Sequence, residues 1–452
     1  MSLIYLSSRF QCTWPWDMLV MLCDGRLVCG CADPYGKRVL GDARTASVED
    51  VWSGPVVTKL RQDLNQGGAS FCGDCPLKRP LARDASPVVR PLEAGRLPSR
   101  MFIECTAACN ISCTEACCAP ETGITRTRQA GMLDFALFQR VVDEVGPSLA
   151  RIDFFNYGEA FLHKRAIDMC EYIKSRFPHI YLYTSTNGLA FSETQARRLV
   201  HSGIDEVTFS IDGATPESYV QYRQRGRFDV AIANLRAMVD EKRRSGRDLP
   251  FLNWRYILFR WNDSDEEMNL ARAMATEIGV DRLCWEITDH PESAYSRRFA
   301  GGAELETIRR ETWDDSNLGS AIPGATPRAQ IDVRTLIPGV PLIARTGRPL
   351  RVRTRVRNLS TRPFPADATY GRRLVRLGAQ LCAEDGRLIE RDFARARLPH
   401  ALGGGAETNI AIELPPLPEA GRYAIKFDLV FEGVEWFEKC GSQTTMKKLW
   451  VR

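Results

Sequence analysis

The sequence predicts an α/β fold, a partial (β/α)6 barrel of TIM type, with a small cysteine-rich module before it and an antiparallel β-sandwich after it. Three observations lead there. Between residues 99 and 290, short β-branched or aromatic runs alternate with segments whose apolar residues recur every three to four positions. Eleven of the fifteen cysteines lie before residue 119. Beyond about residue 341 the hydrophobic period changes to two.

At 452 residues the chain exceeds the roughly 250–300 that one core supports. The expected segments are 1–98 (cysteine-rich module and linker), 99–290 (barrel), 291–340 (linker) and 341–452 (sandwich). Sixty-one basic residues are spread among 56 acidic ones, for a net charge of +5, which makes no case for nucleic acid. The arginines of 345–357 and 372–376 read first as the solvated face of a strand. Apolar runs such as Met18–Cys23 fall short of the roughly 20 residues of a membrane span. Met1–Arg9 has neither a basic start nor a long apolar run, so no signal peptide is expected. Nothing directs export, so the cysteines suggest metal-bound thiols in a reducing cytoplasm.

Within the first segment, Leu19–Cys23, Asp24-Gly25 and Arg26–Cys29 read as a β-hairpin. Ser47–Leu60 has helical spacing behind a capping serine. A Cys-x2-Cys pair, Cys72 and Cys75, precedes a Pro- and Arg-rich linker, Lys78–Pro98. So small a core needs a staple, and four thiolates on one metal centre would supply it. A structural zinc knuckle fits these spacings as well.

The barrel segment opens with an apolar strand, Met101–Glu104, and a loop with five thiols: Cys105, Cys109, Cys113, Cys117 and Cys118. Three closely spaced thiolates after a strand can wrap one face of an iron–sulfur cluster, and Cys109, Cys113 and Cys117 are the natural trio. Three ligands on four irons leave one iron open, as catalytic metal sites require. Further strands are expected at Ala150–Asn156, Ile180–Thr184, Glu206–Ile211, Leu252–Phe259 and Arg282–Ile287. Helices are expected at Asp134–Val145, His163–Arg176, Ser192–Ser202, Phe228–Arg244 and Glu266–Ile278. Such repeats imply a parallel sheet with its chemistry at the strands' C-terminal ends. There stand Gly158-Glu159, Thr186-Asn187-Gly188, Ser210-Ile-Asp212-Gly213 with Arg223 farther on, and Trp261. Singly, each is more often a turn, a cap or a packed ring.

In order and placement these pieces resemble the radical S-adenosylmethionine (SAM) enzymes, whose cluster loop is usually Cys-x3-Cys-x2-Cys with Asn after the first Cys. Here Ala116 stands where the third ligand would be, so Cys117 or Cys118 replaces it. The resemblance implies a [4Fe–4S] cluster that cleaves SAM reductively to a radical, which takes hydrogen from a substrate. It implies that Gly158-Glu159 (Ala160 replacing the family's Pro) cradles the SAM amino group. Ser210 and Asp212 would lie near the ribose, with Arg223 at the carboxylate and Asn187 in the same site.

The cysteine-rich segment 1–98 resembles the SPASM auxiliary-cluster module, through Cys12-Thr-Trp-Pro-Trp, Cys23-Asp-Gly-Arg-Leu-Val-Cys29 and Cys72-x2-Cys75. In the family that module usually follows the barrel. It implies a second [4Fe–4S] cluster on Cys12, Cys31, Cys72 and Cys75, with Cys29 the alternative to Cys31 and Cys23 left to packing. Asp428–Gly441, with Trp436-Phe437, resembles the polysaccharide-binding sandwich of O-antigen exporters. The expected substrate is therefore a sugar or glycan precursor. The alternatives are a ribosomal peptide or, without enzymatic activity, a zinc scaffold. An electron donor such as flavodoxin or ferredoxin is the expected partner.

Overall fold

The computed structural model describes residues 9–452 except 32, 74, 82–86, 88, 94–96, 114–127, 129–130, 290, 309–310, 314–327, 335–339, 361–363, 365, 367–374 and 432–434. The chain divides into two units, 1–313 and 314–452.

In the first unit the predicted hairpin forms. Strand β1 (Met18–Met21) turns at Asp24-Gly25 into β2 (Arg26–Val28), and β3 (Val39–Asp42) adds a third antiparallel strand. Gly25 sits at φ +89°, where a side chain is strained. The single helix expected over Ser47–Leu60 is two, α1 (Val48–Trp52) and α2 (Pro55–Asn65). Pro55 explains the break: it disfavours helical backbone at Gly54, which is extended, yet suits the first turn of a new helix.

The loop thiols follow β4 (Arg100–Ile103), and β5 (Ser112–Cys113) lies within that loop. The barrel continues with β6 (Arg151–Asp153), β7 (Tyr181–Thr186), β8 (Glu206–Ser210), β10 (Phe251–Leu258) and β11 (Arg282–Ile287). Strand β9 (Arg223–Gln224) pairs with β5. The intervening helices are α3 (Phe135–Val145), α4 (Ala166–Arg176), α5 (Glu193–His201), α6 (Pro216–Tyr222), α7 (Phe228–Arg244) and α8 (Asp265–Ile278). Asp134, Ser192, Thr215 and Ser264 cap four of them through side-chain oxygens.

Among the described residues one sheet has the order β11-β10-β8-β7-β6-β4-β1-β2-β3, parallel from β11 through β1. Strand β1 lies beside β4, with Met18 opposite Arg100 and Met21 opposite Ile103. The cysteine-rich segment thus extends the barrel sheet. Leu19, Trp52 and Leu60 share one buried core with Met101, Ile103 and Phe138. Sheet and core run through residue 98, where the sequence suggests a boundary.

The second unit holds two sheets. One is antiparallel, built of β12 (Ala329–Arg334), β14 (Leu350–Asn358) and β17 (Glu407–Leu414). The other contains β13 (Leu342–Ala344), β15 (Val375–Ala383), β16 (Leu388–Arg397), β18 (Gly421–Phe431), β19 (Glu435–Trp436) and β20 (Thr445–Val451), antiparallel save for β13 on β20. Strand β12, and a short helix at Ala303–Ile308 in the first unit, fall where a linker was expected. Along β14, Val352, Thr354 and Val356 are buried while Arg351, Arg353 and Arg357 are exposed, which is the period-two pattern of a solvated face. Trp436 is 3% exposed and Phe437 is buried. The Trp436 ring lies over Gly378, where a Cβ would come within 2.5 Å, and under the Arg395 guanidinium at 4.3 Å. Both rings are core, the commoner place for such an aromatic pair, and neither offers a sugar platform.

Asp428, on β18, is fully buried and accepts from the Leu429 and Glu438 N–H groups at 2.8 Å each. Burial, the larger influence, pushes its carboxyl from 3.8 up to about 8. The folded state therefore favours the neutral acid. Its contribution is complete below 3.8 and is lost as pH rises through about 8. Calorimetry on the whole chain should show the second unit melting at lower temperature as pH rises through that window, and Asp428→Asn should flatten the trend. Equal slopes in both proteins would clear Asp428 of the effect.

Candidate functional site

Beyond β4 the backbone turns through Cys105, whose thiol donates to the Ala160 carbonyl at 3.3 Å and whose pKa burial raises strongly. That is a packing thiol. Cys109 is half-buried and Cys113 buried. Cys113 lies on β5 directly opposite Arg223 on β9. The Arg223 guanidinium reaches Cys113 Sγ at 3.7 Å through Nη1 and Asp212 Oδ2 at 2.5 Å through Nε. Asp212 is fully buried and its other oxygen accepts from Ile257 N at 2.7 Å. From the end of β7, Asn187 Nδ2 donates to Asn110 Oδ1 at 2.7 Å and stands 3.9 Å from Cys109 Sγ. A cation and an amide donor beside two sulfurs are the outer-shell groups that orient and tune thiolate ligands.

Gly158 holds this arrangement from the side. It sits at φ +84°, and a Cβ there would lie 2.6 Å from the Ala108 oxygen and 2.7 Å from the Thr106 oxygen. Next to it, Glu159 N donates to the Ala108 carbonyl at 2.7 Å. Two backbones meet here with no room for a side chain. The Glu159 carboxylate is 3% exposed and accepts from Asn187 N at 2.7 Å and Thr186 Oγ1 at 2.8 Å. Burial raises its pKa and these bonds work against the rise. In this structure it braces the ends of β6 and β7. Ser210 joins a neighbouring network, bonded to Ser185 Oγ at 3.1 Å and Arg255 Nη2 at 2.9 Å. Cys117 and its alternative Cys118 lie outside the described residues.

An apolar wall closes the site. Ile111, Tyr222, Ile257 and Phe259 pack with Cys113, and Cys109, Leu189 and Trp261 rest against them. Trp261 stacks on Phe259 (4.8 Å, 17°), and its buried indole N–H has no hydrogen-bond partner among the described residues. An open donor in an apolar wall beside two thiols suits a bound group that carries acceptors. The donor set therefore fits a sulfur-ligated cluster with a polar ligand beside it.

A second set of thiols gathers in the cysteine-rich segment. Cys12, Cys29, Cys72 and Cys75 line one cavity, walled by Trp14, Leu64, Phe71 and Leu77. Burial raises the Cys12 thiol, and raises Cys72 to about 11; Cys29 is raised by burial and then by Cys12, Cys72 and Cys75. Cys31, the expected fourth member, is not in this lining. Strict alternation would put Cys29 and Cys31 on one face, but the strand ends at Val28 and the left-handed Gly30 (φ +87°) stands between them, so Cys29 packs with Leu27 on the main core while Cys31 packs with Val28 on the other side. Burial pushes the Cys23 thiol up to about 12, in keeping with packing. Among the described residues no three His, Cys, Asp or Glu side chains converge as one metal ion requires. Tetrahedral zinc wants sulfurs about 3.8 Å apart. Thiols spread around a cavity suit a bridging cluster better.

Glu104 and Arg128 were not anticipated as site residues. The one signal was an acidic residue closing an apolar strand just before the thiols.

Comparison with known proteins agrees with this geometry. Residues 103–269 match the Radical SAM superfamily, and residues 12–76 match SPASM, an iron–sulfur cluster-binding domain. The chain is 32% identical over 223 residues to the tungsten-containing aldehyde ferredoxin oxidoreductase cofactor-modifying protein of Pyrococcus furiosus, covering 48% of this chain and 60% of that one. It is 28% identical over 127 residues to GTP 3′,8-cyclase of Desulforamulus reducens, covering 28% and 38%. It is 29% identical over 160 residues to the mycofactocin maturase MftC of Mycobacterium tuberculosis, covering 34% and 37%. The matches thus span 37% to 60% of these relatives' lengths. The chain thus carries a domain of the Radical SAM superfamily and, before it, a SPASM iron–sulfur cluster-binding domain, and these domains imply a [4Fe–4S] cluster, S-adenosylmethionine and auxiliary iron–sulfur as cofactors.

Proposed function

We propose that this enzyme matures a peptide by hydrogen-atom abstraction. The observation that carries the chemistry is the convergence of Cys109, Cys113, Asn187, Asp212 and Arg223 at the C-terminal end of the parallel sheet. When bound, the cluster and SAM supply a one-electron cleavage that yields a hydrogen-abstracting radical. Cys109 and Cys113, with Cys117 from the same loop, hold the cluster. Arg223 and Asn187 orient these thiolates, and the wall of Tyr222, Phe259 and Trp261 keeps water from them. Cys12, Cys29, Cys72 and Cys75 hold the auxiliary centre. Four thiolates would leave no position open for substrate, so these residues suit a centre whose chemistry, when bound, is electron transfer.

The choice of a peptide rests on the maturase among the relatives. A sugar substrate has lost its structural argument, since Trp436 and Phe437 are buried. An external electron donor, flavodoxin or ferredoxin, and a reducing cytoplasm go with this reading. No disulfide joins the described cysteines, and no helix among the described residues is long and apolar enough to cross a membrane.

Two measurements test it. Anaerobically reconstituted protein plus dithionite should release 5′-deoxyadenosine from SAM, and Cys109→Ala or Cys113→Ala should abolish that release while auxiliary iron stays. Full release from either variant would undo the ligand assignment. Mass spectrometry of short peptides encoded beside the gene, with sugar nucleotides in parallel, then decides the substrate. A changed sugar nucleotide and unchanged peptides would overturn the peptide reading.

A further inference from the structure

Glu104 directly follows β4 and belongs to none of the motifs above. It is completely buried, and five donors reach its carboxylate. Arg128 grips it with both terminal nitrogens, at 2.8 and 3.0 Å, from a side chain only 1% exposed. Asn156 Nδ2 (3.1 Å) and Tyr157 N (3.3 Å) come from the stretch leading into Gly158. Cys23 N (3.2 Å) comes from the cysteine-rich hairpin. The Glu104 N–H itself donates to the Met21 carbonyl at 2.9 Å. In sequence, Glu104 and Arg128 stand on either side of every thiol of the catalytic loop.

We propose that Glu104 is the positioning residue of the catalytic cluster loop. Its carboxylate ties the two ends of the thiol-bearing segment together and registers them against the Gly158 stretch and the auxiliary hairpin. The physical basis is the pairing of a planar fork with a carboxylate in a buried setting, where direction as well as charge is specified. Arg128 has no freedom to answer a change. Its Nε is already buried without a partner among the described residues, so loss of the Glu104 charge strands a cation in the interior. Asn156 and Tyr157 would lose the same acceptor, and with it the alignment of Gly158 against Ala108. The inference does not depend on which substrate the enzyme takes.

The test is Glu104→Gln in the full chain, purified and reconstituted anaerobically. Iron is counted, and the electron paramagnetic resonance signals of reduced protein are recorded with and without SAM. Iron should fall from about eight to about four per chain, the content of one [4Fe–4S] centre. The auxiliary signal should persist, the SAM-responsive signal should vanish, and Glu104→Asp should restore part of it. Should the Gln variant fail to fold, Glu104→Leu with Arg128→Met replaces the pair by apolar volume, a change buried ion pairs often tolerate. That variant should fold and keep only auxiliary iron. A folded variant that retains the SAM-responsive signal overturns the proposal. So does loss of both signals in equal proportion, which would make Glu104 a general stabiliser.

Discussion

Replacing Gly158 with alanine is expected to lower SAM cleavage by at least about a hundredfold, the scale on which a displacement near 1 Å disturbs a catalytic geometry. Two effects act together. The left-handed backbone at φ +84° costs an L-residue about 1–2 kcal/mol. The new methyl would also lie 2.6–2.7 Å from the Ala108 oxygen, the Ala107 carbonyl carbon and the Thr106 oxygen. All three are backbone atoms, so no rotamer relieves the contact and the loop between Cys105 and Cys109 must shift. Release of 5′-deoxyadenosine and the iron count should fall together. Gly246 is the control. It is also left-handed, at φ +63°, but meets nothing within 4 Å. Gly246→Ala should therefore carry the strain alone and leave cleavage near normal. Equal activity in the two variants would mean that the backbones do not meet as described.

Cys29→Ala should remove the auxiliary centre, and Cys31→Ala should leave it in place. Iron should drop from about eight to about four per chain in the first variant and hold in the second. The reasoning is the cavity lining: Cys29 stands with Cys12, Cys72 and Cys75, while Cys31 packs on the opposite side of the hairpin. The catalytic signal should survive in both, since Cys109 and Cys113 are bonded to other elements. The reverse pattern would return the ligand role to Cys31.

The parallel sheet was legible because each βα repeat carries its own periodicity. Asn187 and Asp212 follow strands whose ends the periodicity locates, and it was the family resemblance that singled them out together with Arg223, which stands beyond the next helix. Other features depend on information that is not local. The choice between Cys29 and Cys31 turns on which face of β2 each continues. A register shift between Leu27 and Val28 and the left-handed Gly30 intervene there. The split of the first predicted helix was written in Gly54-Pro55 but hidden by the helical spacing around it. Pairing of β1 with β4 joins residues about 80 apart, and a hairpin gives no sign of what its outer edge meets. Trp436 reads alike in a core or on a binding face. Only its neighbours Gly378 and Arg395 decide the matter, and they are distant in sequence.

The parallel pairing of Met18–Met21 with Arg100–Ile103 bears on how electrons move. Four consecutive residue pairs bind the hairpin to the strand that leads into the catalytic thiols. Among the described residues this pairing sets the cysteine-rich hairpin directly against the strand that precedes Cys109 and Cys113. Tunnelling falls off exponentially with distance, so a donor mounted on a flexible tether would transfer only in rare close encounters. On the proposed reading, in which the two centres exchange electrons, a donor held by sheet pairing should transfer at a rate insensitive to viscosity.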